Sequence, residues 1–428
     1  MPHRSFHFFV TSEVFRAFLK LGLSSFGGPI AHLGYFRAEF VERRRWLDER
    51  RYAELVALCQ FLPGPASSQV GFAIGLERAG WRGALAAWAG FTLPSAIALV
   101  LFALGLARID AANPVLAGVL QALKVVAVAV VAQAVVSMAR SLTPDAPRRA
   151  LALLAAAIVL LHAGAAMQLV ALAASALGGA WLLRGSTGAA ADTADAARPG
   201  SVQGIAPRRR VSRRAGATAG ALFVALLVAL PLAASWSSEP RLAIAAAFYR
   251  AGALVFGGGH VVLPLLQAGV VAPGWVDESA FVAGYGAAQA VPGPLFTFAA
   301  YLGSVIGAHG IAGTMAAGGS VSGAWAAAAL CLVAIFLPGM LVLVAALPWW
   351  DALRTQPALR RTIAGVNAGV VGVLLAAWID PVATSAVRGP VDALFAAALY
   401  ALLVGLRWRP WAVVVVAIGI GALRGLAG

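Results

Sequence analysis

Eight apolar stretches, separated only by short charged or Pro/Gly-rich punctuation, set what this chain can fold into. They cover residues 83–107, 115–138, 150–183, 216–235, 323–348, 362–379, 391–406 and 411–423. A helix needs roughly 20 apolar residues to cross a bilayer. Residues 150–183 are long enough for two short helices, with the turn expected at 162–164. Only 11% of the 428 residues are charged and 61% are apolar, too little polar surface for a water-facing fold. The expected fold class is therefore an all-α polytopic membrane protein. Ahead of these eight, the N-terminal apolar segment contains Arg16 and Lys20 and no convincing cleavage site, so it is expected to belong to the mature fold. Cys59 and Cys331 lie far apart in apolar segments and read as small buried hydrophobes, not as metal or redox ligands.

The charge is lopsided: 32 Lys plus Arg against 17 Asp plus Glu, a net +15. In a soluble chain this would suggest a nucleic-acid partner. In a membrane chain it is topological, because cationic loops stay in the cytoplasm, and no nucleic acid is expected. Residues 184–215 are polar and Arg-rich and read as a disordered cytoplasmic linker between two halves, 1–183 and 216–428.

The halves are repeats. Phe18-Leu-Lys-Leu-Gly22 with Phe26-Gly-Gly28 matches Phe248-Tyr-Arg-Ala-Gly252 with Phe256-Gly-Gly258. Trp46-Leu-Asp-Glu49 matches Trp275-Val-Asp-Glu278, and Gln60-Phe-Leu-Pro-Gly-Pro65 matches Gln289-Ala-Val-Pro-Gly-Pro294. Trp to Gln is 14 positions in both copies. Phe91-Thr-Leu-Pro94 is echoed by Phe336-Leu-Pro338 after an extra segment near 313–322. The copies differ in charge. Residues 37–51 hold six Arg, while the matching residues 272–279 hold no Lys or Arg. This is the signature of an inverted-topology pair. If both motif pairs enter and leave on one side, as re-entrant or broken helices, 23 of the 32 cations fall in cytoplasmic loops. Only Arg108, Arg241, Arg388 and Arg424 then face outward.

The Pro-Gly-Pro motifs carry the strongest chemical signal. Proline stops one helix and starts the next. Glycine lets a ligand approach the backbone. A helix that starts inside the protein points bare N–H groups and a positive dipole end into it, which suits an anion. The candidate substrate-binding residues are Gln60, Pro63, Gly64, Pro65, Ser67 and Ser68 in the first copy and Gln289, Pro292, Gly293, Pro294 and Thr297 in the second. Gly27 and Gly28, with Gly257 and Gly258, form a second pair of helix breaks. Lys20 and Arg250 occupy matched positions within apolar segments, where a cation is expensive and usually functional. Lys124 stands mid-span, where it could face the pathway or pair with an acid. His32 and His260 flank the glycine breaks without aligning, and are read as packed histidines. Glu77, Arg78 and Arg82 are read as a loop, and Asp48, Glu49, Asp277 and Glu278 as helix N-terminal acids. Ser67 and Ser68 face Phe296 and Thr297 across the alignment, so the first half is expected to supply more donors. No metal site or catalytic cluster is evident.

At Phe26-Gly-Gly-Pro29, Leu62-Pro-Gly-Pro-Ala-Ser67, Ala79-Gly-Trp-Arg-Gly-Ala84 with Phe91-Thr-Leu-Pro94, Phe256-Gly-Gly-Gly-His260 and Val291-Pro-Gly-Pro294, the chain resembles the chromate ion transporter family in its long two-domain form. The resemblance runs from about Phe15 to Trp378, apart from the linker. It implies efflux of chromate from a bacterial cytoplasm across the inner membrane, giving chromate resistance, with sulfate as a competitor or second substrate.

The expected function is thus a secondary transporter, not an enzyme, that exports a tetrahedral oxyanion without a cofactor. Its partners would be chromate or sulfate and the lipid bilayer, and a homo-oligomer is compatible with the sequence. The alternatives are a sulfate or other oxyanion carrier and, from a different class, a membrane enzyme acting on a lipid or phosphate substrate.

Overall fold

The computed structural model describes residues 2–109, 113–162, 165–183, 211–237, 239–256, 259–309, 320–353 and 356–427. Among these, every regular element is helical. Five helical stretches, Ala66–Leu106, Pro114–Leu142, Arg213–Trp236, Val321–Trp349 and Pro357–Ala386, are long and apolar enough to cross a bilayer, and shorter apolar helices accompany them.

The first half opens with two hairpins. α1 (Pro2–Ser24) stops where Gly27 and Gly28 take φ of 102° and 77°. That left-handed backbone admits glycine without strain. α2 (Gly28–Phe36) starts there with proline in its first turn and runs on as a π-helical segment, Arg37–Arg43. α3 (Glu49–Phe61) is capped by Asp48, whose carboxylate accepts the Arg51 N–H at 2.7 Å. It ends at the Pro-Gly-Pro break, where Gly64 has φ 118°. α4 (Ala66–Leu106) then leaves the break as two antiparallel arms. Ala79 (φ −135°, ψ 16°) and Gly80 (φ 69°, ψ −157°) make the turn, and Gly75 packs on Gly83 across it. The turn expected over 77–82 is thus confined to two residues, with helix on either side.

Ion pairs fix the direction of these hairpins. Arg51, at the start of α3, pairs with Glu77 at the end of the first arm of α4. Glu13 of α1 accepts from Arg44 at 3.3 Å and from Arg78 at 3.2 Å. Both hairpins therefore leave one end of the molecule and return to it, with tips at Gly27 and Gly64. This is the re-entrant path that the loop charges favour.

After α5 (Pro114–Leu142), α6 (Ala146–Leu161) and α7 (Ala165–Leu182), the chain enters the second half at α8 (Arg213–Trp236), capped by Ser212. The last three residues assigned to the linker, 213–215, are therefore helical. Residues 184–210 of that segment lie outside the described residues. α9 (Pro240–Ala253) mirrors α1. A short 3-10 turn, Gly259–Val261, leads into α10 (Val262–Val270). α11 (Glu278–Ala288) is capped by Asp277, as α3 is by Asp48. α12 (Phe298–His309) and α13 (Val321–Ala346) repeat the two arms of α4, with Gly307 against Gly323. The extra segment near 313–322 falls between them; residues 310–319 lie outside the described residues. The repeat extends to single contacts: Gly22 packs on Gly90 and Phe91, and Gly252 on Ile335 and Pro338.

The remaining long helices are α14 (Pro357–Ala377), α15 (Pro390–Val404) and α16 (Pro410–Ala427), and here the halves exchange partners. α5 packs on α15 and α16, while α14 packs on α6 and α7. Small residues bring the backbones together, Gly118 on Gly421 and Gly365 on Gly179. Without a hydrophobic drive between helices in lipid, such close packing supplies the cohesion.

Candidate functional site: a cavity between helix breaks

The four hairpin tips meet in the middle and tie to one another across the repeats. The Gly64 N–H donates to the Val255 carbonyl at 2.7 Å, and the Gly293 N–H donates to the Ser25 carbonyl at 2.9 Å. Gly64 aligns with Gly293 and Ser25 with Val255, so one bond is the repeat image of the other.

A cavity of about 290 Å³ lies beside this crossing. Gly27, Gly28 and Pro29 line it from the first half, and Gly259, His260, Gln289 and Gly293 from the second. α5 closes one wall with Gln133 and Ser137, which stand i, i+4 on one helical face. Two helices therefore begin at the cavity, one at Gly28 and one at Gly259, with their free N–H groups and positive ends beside it. No carboxylate is among the residues that line it. Gln289 Nε2 is buried beside the Tyr285 hydroxyl, without full hydrogen-bond geometry to it. The His260 ring is held by a 2.6 Å hydrogen bond between Nδ1 and the Tyr285 hydroxyl. Helix-start N–H groups and neutral side-chain donors, in a space wide enough for an ion and some water, have the chemistry that suits an anion.

Of the residues expected from sequence, the cavity gathers Gly27, Gly28, Gln289 and Gly293. The first Pro-Gly-Pro motif lies elsewhere. Gln69, one turn into α4, crosses the break instead, its Nε2 donating to the Pro63 and Gly339 carbonyls at 2.9 and 2.8 Å. Ser67 is buried 3.3 Å from His32 Nδ1, and Ser68 is buried with a hydroxyl that has no partner among the described residues. Gln60 is exposed, and Pro63, Gly64 and Pro65 shape the break. Thr297 donates to its own Pro294 carbonyl at 2.7 Å, and neither Pro294 nor Pro292 lines the cavity. The cavity thus takes its Pro-Gly-Pro donors from the second half, whereas the first was expected to dominate. Lys20 is exposed on α1 and Arg250 half-buried on α9, and neither lines the cavity. Gly257 and Gly258 lie outside the described residues. His260, Gln133 and Ser137 are the lining residues that sequence reasoning passed over. The i, i+4 pair of polar residues inside the apolar run of 115–138 is the signal that points to the last two.

A family profile described as Chromate transporter matches residues 12–180 and 242–422. The chain belongs to the chromate transporter family. It is a multi-pass membrane protein by that membership and by its apolar helices. Among its relatives, a chromate transport protein of Pseudomonas aeruginosa is 28% identical over 400 residues, covering 88% of this chain and 82% of that one. A chromate transport protein of Cupriavidus metallidurans is 28% identical over 395 residues, 90% and 86% of the two chains. A probable chromate transport protein of Synechococcus elongatus is 28% identical over 373 residues, 85% and 82%. No solved structure gives a significant match.

Proposed function

We propose that the chain is a secondary transporter that binds chromate in the central cavity and exports it across the bacterial inner membrane, giving chromate resistance. The observation that carries this reading is the pair of helix starts, at Gly28 and Gly259, facing one cavity that no carboxylate lines. The family membership supports chromate as the substrate. Fixed dipoles and neutral donors hold a dianion without a permanent countercharge, so release on the far side is not opposed by a strong ion pair. The repeat-related tips at the crossing support alternating access, with one repeat rocking against the other.

Moving a dianion out of a negative-inside cell is downhill by about 2.3 kcal/mol per charge per 100 mV. Export driven by potential alone is therefore sufficient on energetic grounds. Lys20 and Arg250, matched across the repeats and outside the cavity wall, act through their field on anion affinity. Sulfate has the same charge and nearly the same shape, so the same donors would accept it.

The test is radiolabelled chromate uptake into everted vesicles, with and without a membrane potential and with sulfate as competitor. Potential-dependent uptake that sulfate reduces is the expected result. No uptake under either condition overturns the chromate reading.

A further inference from the structure

Cations are depleted from the outward side of a membrane protein, so those that remain there need a reason. In the topology above, four arginines face outward. Two of them, Arg388 and Arg424, line a single second cavity of about 230 Å³. It is framed by Gly118 and Gln121 at the start of α5, Asp392 at the start of α15, and Arg424 near the end of α16. The central cavity uses α5 only from Val130 onward, so the two are separate.

Asp392 is buried and engaged in the frame. It accepts from Gln121 Nε2 at 3.1 Å and from the Arg388 backbone N–H at 3.3 Å. Gln121 also donates to the Ala386 carbonyl at 2.6 Å, which fixes the turn before α15 against α5. Arg424 reaches the other carboxylate oxygen only at 3.5 Å, and its side chain stays half exposed. The Arg388 guanidinium makes no ion pair among the described residues. Lys124, buried on α5, makes none either and stands within electrostatic reach of Arg388 and, on its other side, of Asp277 and Glu278, which do not line the cavity. Two arginines against one committed carboxylate leave the cavity positive, and Phe395 and Val125 supply apolar wall that strengthens the field.

We infer that this outer cavity is a second anion site, which takes a tetrahedral oxyanion or a phosphate group on Arg388 and Arg424. Two guanidinium groups match such a group in charge and in hydrogen-bond geometry. The inference rests on the oxyanion-carrier reading for the site's purpose, that of an outward station on the anion's path.

The test is binding of radiolabelled sulfate to the full chain in phosphatidylcholine nanodiscs at low salt. Wild type is expected to show two saturable components. Arg388→Gln with Arg424→Gln removes one of them, and Gln289→Leu weakens the other about tenfold or more. Arg388→Gln alone, whose guanidinium holds nothing in the fold, gives the same readout should the double variant fold poorly. Asp392→Asn is expected to tighten the outer component at least threefold, because it frees Arg424; a merely structural Arg–Asp pair predicts no gain. Both components surviving in the arginine variants overturns the outer site. An outer component that persists while Gln289→Leu changes nothing supports the outer site and counts against the central one, so the two failures are distinct. Repeating the measurement with phosphatidylglycerol in the disc separates the occupants. Loss of the outer component there identifies a lipid phosphate, and its persistence a free oxyanion.

Discussion

Gly64 packs on the backbone of Gly339, and a Cβ placed on it would lie 2.8 Å from the Gly339 Cα. The repeat image of this contact is Gly293 on Ser95, where the same Cβ would meet the Ser95 hydroxyl at 2.8 Å. Both glycines have positive φ. Each Pro-Gly-Pro tip is thus seated on the proline-containing helix of the other half, next to Pro338 or Pro94. Gly64→Ala and Gly293→Ala are each expected to destabilise the protein, by about 2–4 kcal/mol from backbone strain and overpacking. The two should respond differently to relief. Ser95→Ala is expected to restore part of the stability of Gly293→Ala, because a side chain can be trimmed. No such change is available at Gly339. Thermal unfolding of the four variants in detergent measures this.

Gln289 and Gln60 align in sequence but differ in place, one against the cavity and one exposed. Gln289→Leu is expected to weaken chromate affinity about tenfold or more, the loss of one hydrogen bond to a charged ligand. Gln60→Leu is expected to leave affinity within about twofold, since surface changes away from a site cost little. Concentration-dependent flux in everted vesicles separates the two. Equal losses would mean that the site spans both breaks.

Lys20→Gln and Arg250→Gln are expected to raise the half-saturating chromate concentration three- to tenfold without abolishing transport. The effect should shrink above about 0.3 M salt, because a field from outside the cavity is screened. Full wild-type affinity in both variants would remove these residues from the mechanism.

Glu39 lies buried in the π-helical segment of the first hairpin. Burial alone pushes its carboxyl up, but hydrogen bonds from Arg44 (2.6 Å) and Arg43 outweigh this and hold it below the ordinary carboxylate range. A depressed carboxylate stabilises the fold above its unfolded pKa, and that stability is lost as pH falls through the folded value. Arg44→Ala is expected to cost about 2 kcal/mol at neutral pH and to flatten the fall in stability on acidification. Melting temperatures between pH 7 and pH 3 test both.

The apolar runs, the duplicated breaks and the re-entrant path were legible in the sequence, because each follows from residue type at fixed spacing or from loop charge. The lean of the cavity toward the second half was not. It turns on residues beside the motifs. Gln69 bridges the first break to the Pro63 and Gly339 carbonyls, where the second copy has Phe298. Tyr285 holds His260, where the first copy has Val56. Neither difference breaks a motif, so spacing alone does not reveal it. The exchange of α5 and α14 was hidden for another reason. Stripes of Ala, Val and Gly mark a helix as packable and say nothing of its partner.

That exchange bears on how such a gene could arise. α5 finds its neighbours in α15 and α16, and α14 finds its own in α6 and α7. These faces are not covered from within either half, so each piece made alone would carry a groove shaped for the other. An ancestral single-length product would have been viable only as an interlaced pair. Joining two copies into one reading frame would then have left the assembly as it was and changed its dosage, making the partners equal in number and always at hand.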